Sequence, residues 1–339
     1  MSRSSKTALV VTSISSPTGA MQQLAQGSVS NGYNFICIGD KKSPDVYELP
    51  NCRFISLREQ LESDFELAKI CPENHYARKN IGYLMAIRSG AEQIIETDDD
   101  NNPLLSFWAK KSMQLESRFI EDSGWINAYS YFTDRVIWPR GFPLEYIQSK
   151  KLKKAAKTTK VACPIQQGLA NGDPDVDAIY RLTGDLPFSF ENSEPLILGV
   201  SCWSPFNSQN TIWWRQVFPL MYLPSYCSFR MTDIWRSFVA QACMWLNGWH
   251  LAFSGPTVFQ ERNKHDLLRD LEDEIPGYLY NDRIVKALVK LPLKPGEGYL
   301  IENMKMCYSA LISMGLIRKQ EMTLLDAWQD GLANVGHTL

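Results

Sequence analysis

The chain has 339 residues, of which 45% are hydrophobic and 12% aromatic, and its formal net charge at pH 7 is -2. This balance argues against a general nucleic-acid binder. Since no apolar stretch reaches about 18 residues, we expect no membrane-spanning helix. The 8 cysteines are scattered, and no Cys-x-x-Cys pair occurs. That distribution favours reduced thiols and a cytoplasmic location over a disulfide or zinc framework.

The first sixty residues alternate between predicted strands and helices. Residues 7–13 and 34–40 have the composition of buried strands, with a short helix at about 20–26 between them. Residues 53–57 predict a third strand. This succession indicates an α/β domain with a mainly parallel sheet. Ligands of such sheets bind at the carboxyl ends of the strands, which is where Asp40 lies.

A helix is predicted over residues 75–87, with Arg78 and Lys79 near its start. The first turn of a helix presents backbone N–H groups that also favour anions. Basic residues there could face a diphosphate. The alternative is an ordinary solvated helix face, which is the usual role of a single basic residue.

The next predicted strand ends in three consecutive carboxylates, Asp98, Asp99 and Asp100, followed by Asn-Asn-Pro. Adjacent carboxylates repel one another, so a fold that positions them together often supplies a cation. Alternation along an extended backbone places Asp98 and Asp100 on one face and Asp99 on the other. The alternative is an acidic surface turn, and the triplet alone does not decide between the two.

The middle of the chain carries weaker signals. Residues 125–132 predict a strand, and residues 150–160 predict a lysine-rich solvated helix or loop. Arg140 lies in a loop between proline and glycine. Residues 166–174 are rich in residues that favour turns.

A helix is predicted to open near residue 230 and to end at residues 247–248. Asp233 lies in its first turn, where it complements the helix dipole or serves as a general base. A last strand is predicted at residues 249–253. From about residue 267 onward only helices and turns are expected, with breaks at the Pro-Gly pairs 276–277 and 295–296.

Several of these segments resemble, in the same order, motifs of the reversibly glycosylated polypeptides, the plant UDP-arabinopyranose mutases. The resemblance begins in residues 75–102, HYARKNIGYLMAIRSGAEQIIETDDDNN. Residues 140–143 resemble the Arg-Gly-Tyr-Pro motif of that family, and residues 232–235 resemble its Asp-Asp-Met-Trp motif. Residues 16–18 and 262–265 are similar to the pattern of the STELLO glycosyltransferases. Together these matches cover about residues 7–270. The chain resembles the STELLO group more closely than it resembles the mutases.

The resemblance implies a GT-A fold, an α/β architecture with a Rossmann-like mixed sheet flanked by helices. The GT-A domain would span residues 1–268, with a nucleotide-sugar half at about 7–103 and an acceptor half at about 104–268. A helical C-terminal appendage would cover 269–339. The implied cofactor is Mn²⁺ or Mg²⁺, held by Asp98 and Asp100, with His265 as the candidate third ligand. The alternative for His265 is an exposed histidine at the start of a helix. The residues implied to border the donor are Thr12, Ser13, Asp40, Arg78, Lys79 and Asp99. The residues implied to be catalytic are Asp233 and Arg140.

The implied function is a metal-dependent glycosyltransferase that moves a sugar from a nucleotide sugar, UDP-linked, to a glycan or another hydroxyl acceptor. One alternative is a mutase that interconverts ring forms of a UDP-sugar, because Arg140 corresponds to the arginine that is reversibly glycosylated in the mutases. Phe142 and Thr232 depart from the mutase motifs, which favours transfer to an external hydroxyl. Another alternative is an inactive GT-A scaffold or partner-binding domain.

Overall fold

The computed structural model describes residues 6–148, 153–157, 160–261 and 266–337. The strands of these ranges are β1 Thr7–Thr12, β2 Asn34–Ile38, β3 Arg53–Ile55, β4 Gln93–Thr97, β5 Asn101–Pro103, β6 Gln114–Leu115, β7 Arg118–Ile120, β8 Gly124–Trp125, β9 Ala156–Lys157, β10 Val161–Ala162, β11 Ile165–Gly172, β12 Leu196–Leu198, β13 Cys202–Trp203, β14 Asn210–Trp214 and β15 Leu251–Gln260.

The α-helices of the same ranges are α1 Gly19–Asn31, α2 Leu57–Leu61, α3 Glu66–Ile70, α4 Lys79–Arg88, α5 Ala178–Thr183, α6 Thr232–Met244, α7 Leu267–Leu288, α8 Leu300–Ser313 and α9 Glu321–Asn334. Short 3-10 turns connect several of them, including Tyr76–Arg78 before α4 and Phe229–Met231 before α6. Within the described residues, no helix is long and apolar enough to cross a membrane.

One large mixed sheet organises the chain, in the order β3-β2-β1-β4-β14-β11-β15-β12-β7-β9, with β5 paired to β15. The pairs among β3, β2, β1 and β4 are parallel, whereas β14 runs antiparallel to both of its neighbours, β4 and β11. Helices cover both faces of this sheet. The expected α/β class, a mixed sheet flanked by helices, is therefore confirmed.

The parallel strands are buried on both faces because their apolar residues alternate between two hydrophobic clusters. In β1, Ala8 and Val10 belong to the larger cluster, whereas Leu9 and Val11 contact the side that α1 covers. Helix α4 approaches the sheet closely at Gly82, where a Cβ would lie 2.7 Å from Cγ1 of Val10. This close packing brings the start of α4 next to the carboxyl ends of β1 and β4.

Four expectations from the sequence are wrong in local detail. Residues 125–132 are mostly a 3-10 turn over Ala128–Tyr131, held partly by Ser130 Oγ donating to the Asn127 carbonyl. Residues 166–174 are mainly the strand β11, and the last strand extends to Gln260 with register shifts against β11. Helix α7 continues through Pro276. Gly277 lets α7 pack on Met231, whose sulfur would lie 2.4 Å from an added Cβ.

The C-terminal helices pack against the rest of the chain. Trp328 of α9 is fully buried, and its indole N–H donates to the Pro219 carbonyl at 3.0 Å. Trp235 of α6 donates in the same way to Asn281 of α7 at 2.9 Å. The division at residue 268 stays a prediction. The described part of the lysine-rich segment 150–160 includes β9, which pairs with β7. His265 lies outside the residues that the structure describes.

Candidate active site

Two adjoining cavities open at the carboxyl ends of β1, β2 and β4. The first cavity has a volume of about 200 Å³ and the second about 340 Å³. They share Thr12, Ile14, Tyr76, Asp99 and Phe229. We call the first the β2 cavity, because it lies beside Gly39 and Asp40, and the second the acidic cavity, because Asp98, Asp99, Asp100, Asp175 and Asp233 line it.

Asp40 and His75 organise the wall of the β2 cavity. The Asp40 carboxylate accepts the backbone N–H of Lys41 at 2.7 Å and that of His75 at 2.9 Å. Nδ1 of His75 accepts the Ala77 N–H at 3.0 Å and so caps the turn before α4. The imidazole stacks on Tyr76 and meets the edge of Phe229. Burial lowers the pKa of His75 to about 4, although Asp40 opposes this shift.

The turn after β1 holds Asp99. Ser13 Oγ donates to Oδ2 of Asp99 at 2.5 Å, and Thr18 Oγ1 donates to the Asp99 carbonyl at 2.5 Å. Thr18 also caps α1, since its hydroxyl accepts the Met21 N–H. Burial raises the pKa of Asp99, and the Ser13 hydroxyl opposes that shift. Asp99 therefore lies at the junction of the two cavities, in contact with Ser13.

Lys79 is the direct partner of Asp98. Its buried ammonium lies 3.1 Å from Oδ1 of Asp98 and donates to the carbonyls of Thr97, at 3.1 Å, and Ser208, at 3.2 Å. Three contacts account for the three N–H bonds of an ammonium. Lys79 thus orients Asp98 and ties the end of β4 to residue 208. Burial raises the pKa of Asp98, and Lys79 opposes the shift.

Asp100 is fixed by the end of β15. Nε2 of Gln260 lies 3.2 and 3.3 Å from the two carboxylate oxygens of Asp100, and the Glu261 N–H donates to the Asp100 carbonyl. Gln260 in turn accepts a hydrogen bond from Gln209. The turn that carries the three aspartates is therefore held from β1, α4 and β15.

The donor set at this turn suits a hard divalent cation. Asp98 and Asp100 line the same cavity, and Mg²⁺ is commonly bound through one or two carboxylates together with substrate phosphates. Within residues 6–148, 153–157, 160–261 and 266–337, no group of three or more His, Cys, Asp or Glu side chains is placed to hold a metal. Because His265 is outside these ranges, its role as a third ligand stays a prediction.

Arg78 makes its observed contacts inside the protein. Its guanidinium donates to Oε1 of Gln60 at 2.8 Å and to the carbonyls of Cys71 and Ala68 at 2.8 and 3.1 Å. These bonds brace the start of α4 against α2 and α3. Contact between Arg78 and a diphosphate stays a prediction.

Arg140 joins two carboxylates deep in the acidic cavity. It donates to both oxygens of Asp175 at 2.8 Å and to those of Asp233 at 3.1 and 3.0 Å. Its Nη1 also donates to the Arg230 carbonyl. These contacts use all five N–H bonds of the guanidinium. Burial lowers the pKa of Arg140, but the two carboxylates outweigh it and raise the pKa well above its ordinary value.

Asp233 accepts hydrogen bonds on both oxygens. Besides Arg140, Oδ2 receives the Ser208 N–H at 3.1 Å, and Oδ1 lies 3.3 Å from the Tyr76 hydroxyl. Burial raises the pKa of Asp233, but the charge of Arg140 and the hydrogen bonds from Arg140 and the Ser208 amide together bring it below its ordinary value. A general base needs a pKa near the working pH and an available lone pair. The general-base role of Asp233 stays a prediction that this geometry does not support.

Sequence reasoning missed several residues of the site. Asp175, Ser208, Gln209 and Gln260 all line the acidic cavity, as does Phe229, which is 45% exposed. Most are polar residues in segments without a strong pattern. The one available signal was the Asp-Pro-Asp-Val-Asp run at residues 173–177.

Comparison with known sequences gives three findings. A sequence profile of the STELLO glycosyltransferases matches residues 230–339. "Probable glycosyltransferase STELLO2" of Arabidopsis thaliana is 27% identical over an alignment of 353 positions, which covers 97% of this chain. "Probable glycosyltransferase STELLO1" of the same plant is 26% identical over 354, again covering 97%. The chain is similar to the STELLO glycosyltransferases over most of its length. The predicted resemblance is thereby confirmed.

The chain covers 45% and 44% of the lengths of these two STELLO proteins, so it corresponds to less than half of each. A solved structure titled "Crystal Structure of a Mycobacterial Protein" aligns with a TM-score of 0.39 at 11% identity. That alignment covers 84% of this chain and 73% of the other.

Proposed function

We propose that the chain is a metal-dependent glycosyltransferase that takes a sugar from a nucleotide sugar, UDP-linked, and transfers it to a hydroxyl acceptor such as a glycan. One observation carries the proposal: the Asp98–Asp100 turn lies where two cavities join, at the carboxyl ends of parallel strands. A nucleoside would occupy the β2 cavity, the diphosphate would lie at this turn, and the sugar would enter the acidic cavity. Similarity to glycosyltransferases supports the same reaction class.

In this proposal Asp98 and Asp100 hold Mn²⁺ or Mg²⁺. When bound, the metal supplies positive charge that stabilises the departing diphosphate. Lys79 and Gln260 fix the two carboxylates, each through a direct contact. Asp40 and Ser13 border the nucleoside side of the turn, and both already make hydrogen bonds that hold their rotamers.

The hydrogen bonds and burial of Arg140 favour glycosyl transfer over the mutase reaction. Reversible glycosylation of an arginine requires one of its nitrogens to attack a sugar carbon. All five N–H bonds of Arg140 are donated to Asp175, Asp233 and the Arg230 carbonyl, and its side chain is 6% exposed. A positively charged guanidinium in such a network is a poor nucleophile. Arg140 acts here as a brace between the two carboxylates.

Isothermal titration calorimetry with UDP, with and without Mn²⁺, tests the site. Wild type is expected to bind UDP more tightly when Mn²⁺ is present. Asp100→Asn removes one charged ligand and is expected to lower the Mn²⁺-dependent affinity by about tenfold or more. Asp134→Asn is the matched control, because Asp134 is exposed and outside both cavities. If wild type binds no UDP with Mn²⁺, the proposal fails and the scaffold alternative is favoured.

Product analysis separates the two reactions. Wild type would be incubated with a UDP-sugar and Mn²⁺, with and without a panel of hydroxyl acceptors. The transferase proposal expects UDP release that increases with one of the acceptors. A ring-isomerised UDP-sugar formed without any acceptor would establish the mutase and overturn our interpretation of Arg140. Arg140→Lys in the same assay shows whether any isomer depends on that residue.

A further inference from the structure

His75 presents an unused hydrogen-bond donor to the β2 cavity, which it lines. Its Nδ1 accepts the Ala77 N–H at 3.0 Å, and a neutral imidazole has one accepting and one donating nitrogen. The proton therefore lies on Nε2. Within the described residues, Nε2 has no hydrogen-bond partner and is not sealed from solvent. Burial lowers the pKa of His75 to about 4, so at pH 7 the ring is neutral and Nε2–H is its one donor.

The imidazole is held in one orientation by contacts on several sides. Oδ2 of Asp40 accepts the backbone N–H of His75 at 2.9 Å, which ties the residue to the turn after β2. The ring lies within 14° of the plane of Tyr76, with centroids 5.6 Å apart, and the Phe229 ring meets it edge-on at 5.1 Å. A donor that is fixed before its ligand arrives loses little entropy on binding.

The surroundings of this donor suit a flat, uncharged ring. Ile38, Tyr76 and Phe229 add apolar surface to the walls of the β2 cavity, and aromatic faces of this kind pack well on planar groups. Two cations also line the cavity: Lys42 is exposed, and Arg78 is occupied by the contacts described above. A neutral N–H brings no charge to balance a phosphate, whereas it pairs well with a carbonyl oxygen.

We propose that His75 selects the nucleobase of the donor, with Nε2–H donating to the 4-carbonyl oxygen of uracil. This inference rests on the proposed function, which places a nucleoside in the β2 cavity. Cytosine carries an amino group at position 4, where uracil carries the oxygen. With cytosine, two donors would face each other and both would lose their partners. A site built around a fixed donor discriminates strongly against a base that lacks the acceptor.

The ratio of the dissociation constants of CDP and UDP isolates this contact, because the two nucleotides share the same ribose and diphosphate. Both would be measured by isothermal titration calorimetry with Mn²⁺ at pH 7. Wild type is expected to bind UDP about tenfold more tightly than CDP. A metal or phosphate contact affects both nucleotides equally and cancels in the ratio.

Two variants of His75 separate the donor from the turn that the side chain caps. In His75→Asn, Oδ1 is two bonds from Cβ, as Nδ1 is, so the amide can still accept the Ala77 N–H, but the distal N–H is gone. The preference for UDP should fall to within about twofold. In His75→Gln, Nε2 is three bonds from Cβ, as it is in histidine, so a preference of about threefold or more should remain.

His250→Asn is the matched control, because His250 is a half-buried histidine outside both cavities. It should leave the ratio unchanged, and thermal melting of each variant without nucleotide checks that the fold is kept. If wild type binds UDP and CDP equally, or if His75→Asn keeps the full preference, this inference is overturned while the proposed function stands. Equal loss in His75→Asn and His75→Gln would assign the preference to the shape of the ring and also overturn it. If wild type binds neither nucleotide, the proposed function fails and the inference fails with it.

Discussion

The buried ion pair between Glu96 and Arg236 offers a sharp test of how the site is held together. Glu96 lies in β4, two residues before Asp98, and Arg236 lies in α6, three residues after Asp233. Their side chains are 0% and 1% exposed and make two contacts, at 2.7 and 3.0 Å. Trp213 and Tyr83 also donate to Glu96. The pair therefore joins the strand that ends in the acidic turn to the helix that carries Asp233.

Glu96→Gln preserves the shape of the side chain but replaces one acceptor oxygen with an N–H₂ group. In either orientation of the amide, the new N–H₂ group faces hydrogen-bond donors, because each Glu96 oxygen accepts two hydrogen bonds. Arg236 also loses its counter-charge in the interior. Breaking a buried pair from one side costs about 3–5 kcal/mol.

The expected change in melting temperature follows from chain length. For 339 residues, an unfolding entropy of about 2.1 cal/mol/K per residue gives about 0.7 kcal/mol per kelvin. The loss of about 3–5 kcal/mol then lowers the melting temperature by about 4–7 °C. Differential scanning calorimetry at a fixed scan rate measures the difference between variant and wild type.

Glu92→Gln is the matched control for this measurement. Glu92 immediately precedes β4 and pairs with Lys6 at 2.8 Å, but the two side chains are 54% and 75% exposed. Exposed pairs contribute about 0–1 kcal/mol, so the melting temperature should change by about 1.4 °C or less. If the two variants melt within about 1 °C of each other, burial does not set the strength of the Glu96–Arg236 pair and the reasoning is refuted.

Three further outcomes are expected. Gln260→Leu removes a hydrogen-bond partner of Asp100 and should lower Mn²⁺ affinity by about tenfold or more. In calorimetry, the affinity for UDP without metal should not change. An equal loss of Mn²⁺ affinity and of metal-free UDP affinity would contradict this expectation. Arg140→Lys cannot satisfy two carboxylates and should destabilise the fold by about 3 kcal/mol; an unchanged melting curve would contradict the brace. The folded-state pKa of His75, about 4, is below its unfolded value. The stability that the neutral His75 side chain contributes is therefore fully present above about pH 6.5 and is lost as the pH falls from about 6.5 to 4. His75→Gln should flatten this part of the stability profile, and an identical profile would remove His75 as its cause.

Local patterns predicted the first half of the fold well. The apolar runs of β1, β2 and β4 and the helix after residue 75 have clear periodicity, and the acidic turn follows directly from the end of β4. A parallel α/β sheet brings such strand ends together as a matter of topology. The sequence alone therefore predicts that Asp40 and the turn of Asp98–Asp100 lie at the same edge of the sheet, at the carboxyl ends of its strands.

The central strand β11 could not be predicted, because its composition reflects tertiary contacts. Gly168 and Gly172 favour turns in isolation. In the fold, a Cβ on Gly168 would lie 2.3 Å from Oγ1 of Thr257 and 2.6 Å from Nδ2 of Asn210. The glycine is needed because neighbouring strands place side chains against the backbone. Such a requirement depends on residues about forty to ninety positions away and leaves no periodic signal.

The network around Arg140 changes what the acidic cavity can do. Asp175 lies 35 residues from Arg140, and Asp233 lies 93 residues from it. No local pattern predicts that these three residues converge, and only the family resemblance placed Arg140 and Asp233 in one site. A carboxylate offers about four lone-pair sites, and Asp233 already contacts Arg140 twice, the Ser208 amide and the Tyr76 hydroxyl. An acceptor hydroxyl would have to displace one of these to be deprotonated there. The cavity therefore uses Asp233 to hold Arg140 and residue 208, which in turn holds Lys79 and Asp98. These contacts favour a positioning role for Asp233, and proton transfer by this carboxylate stays a prediction.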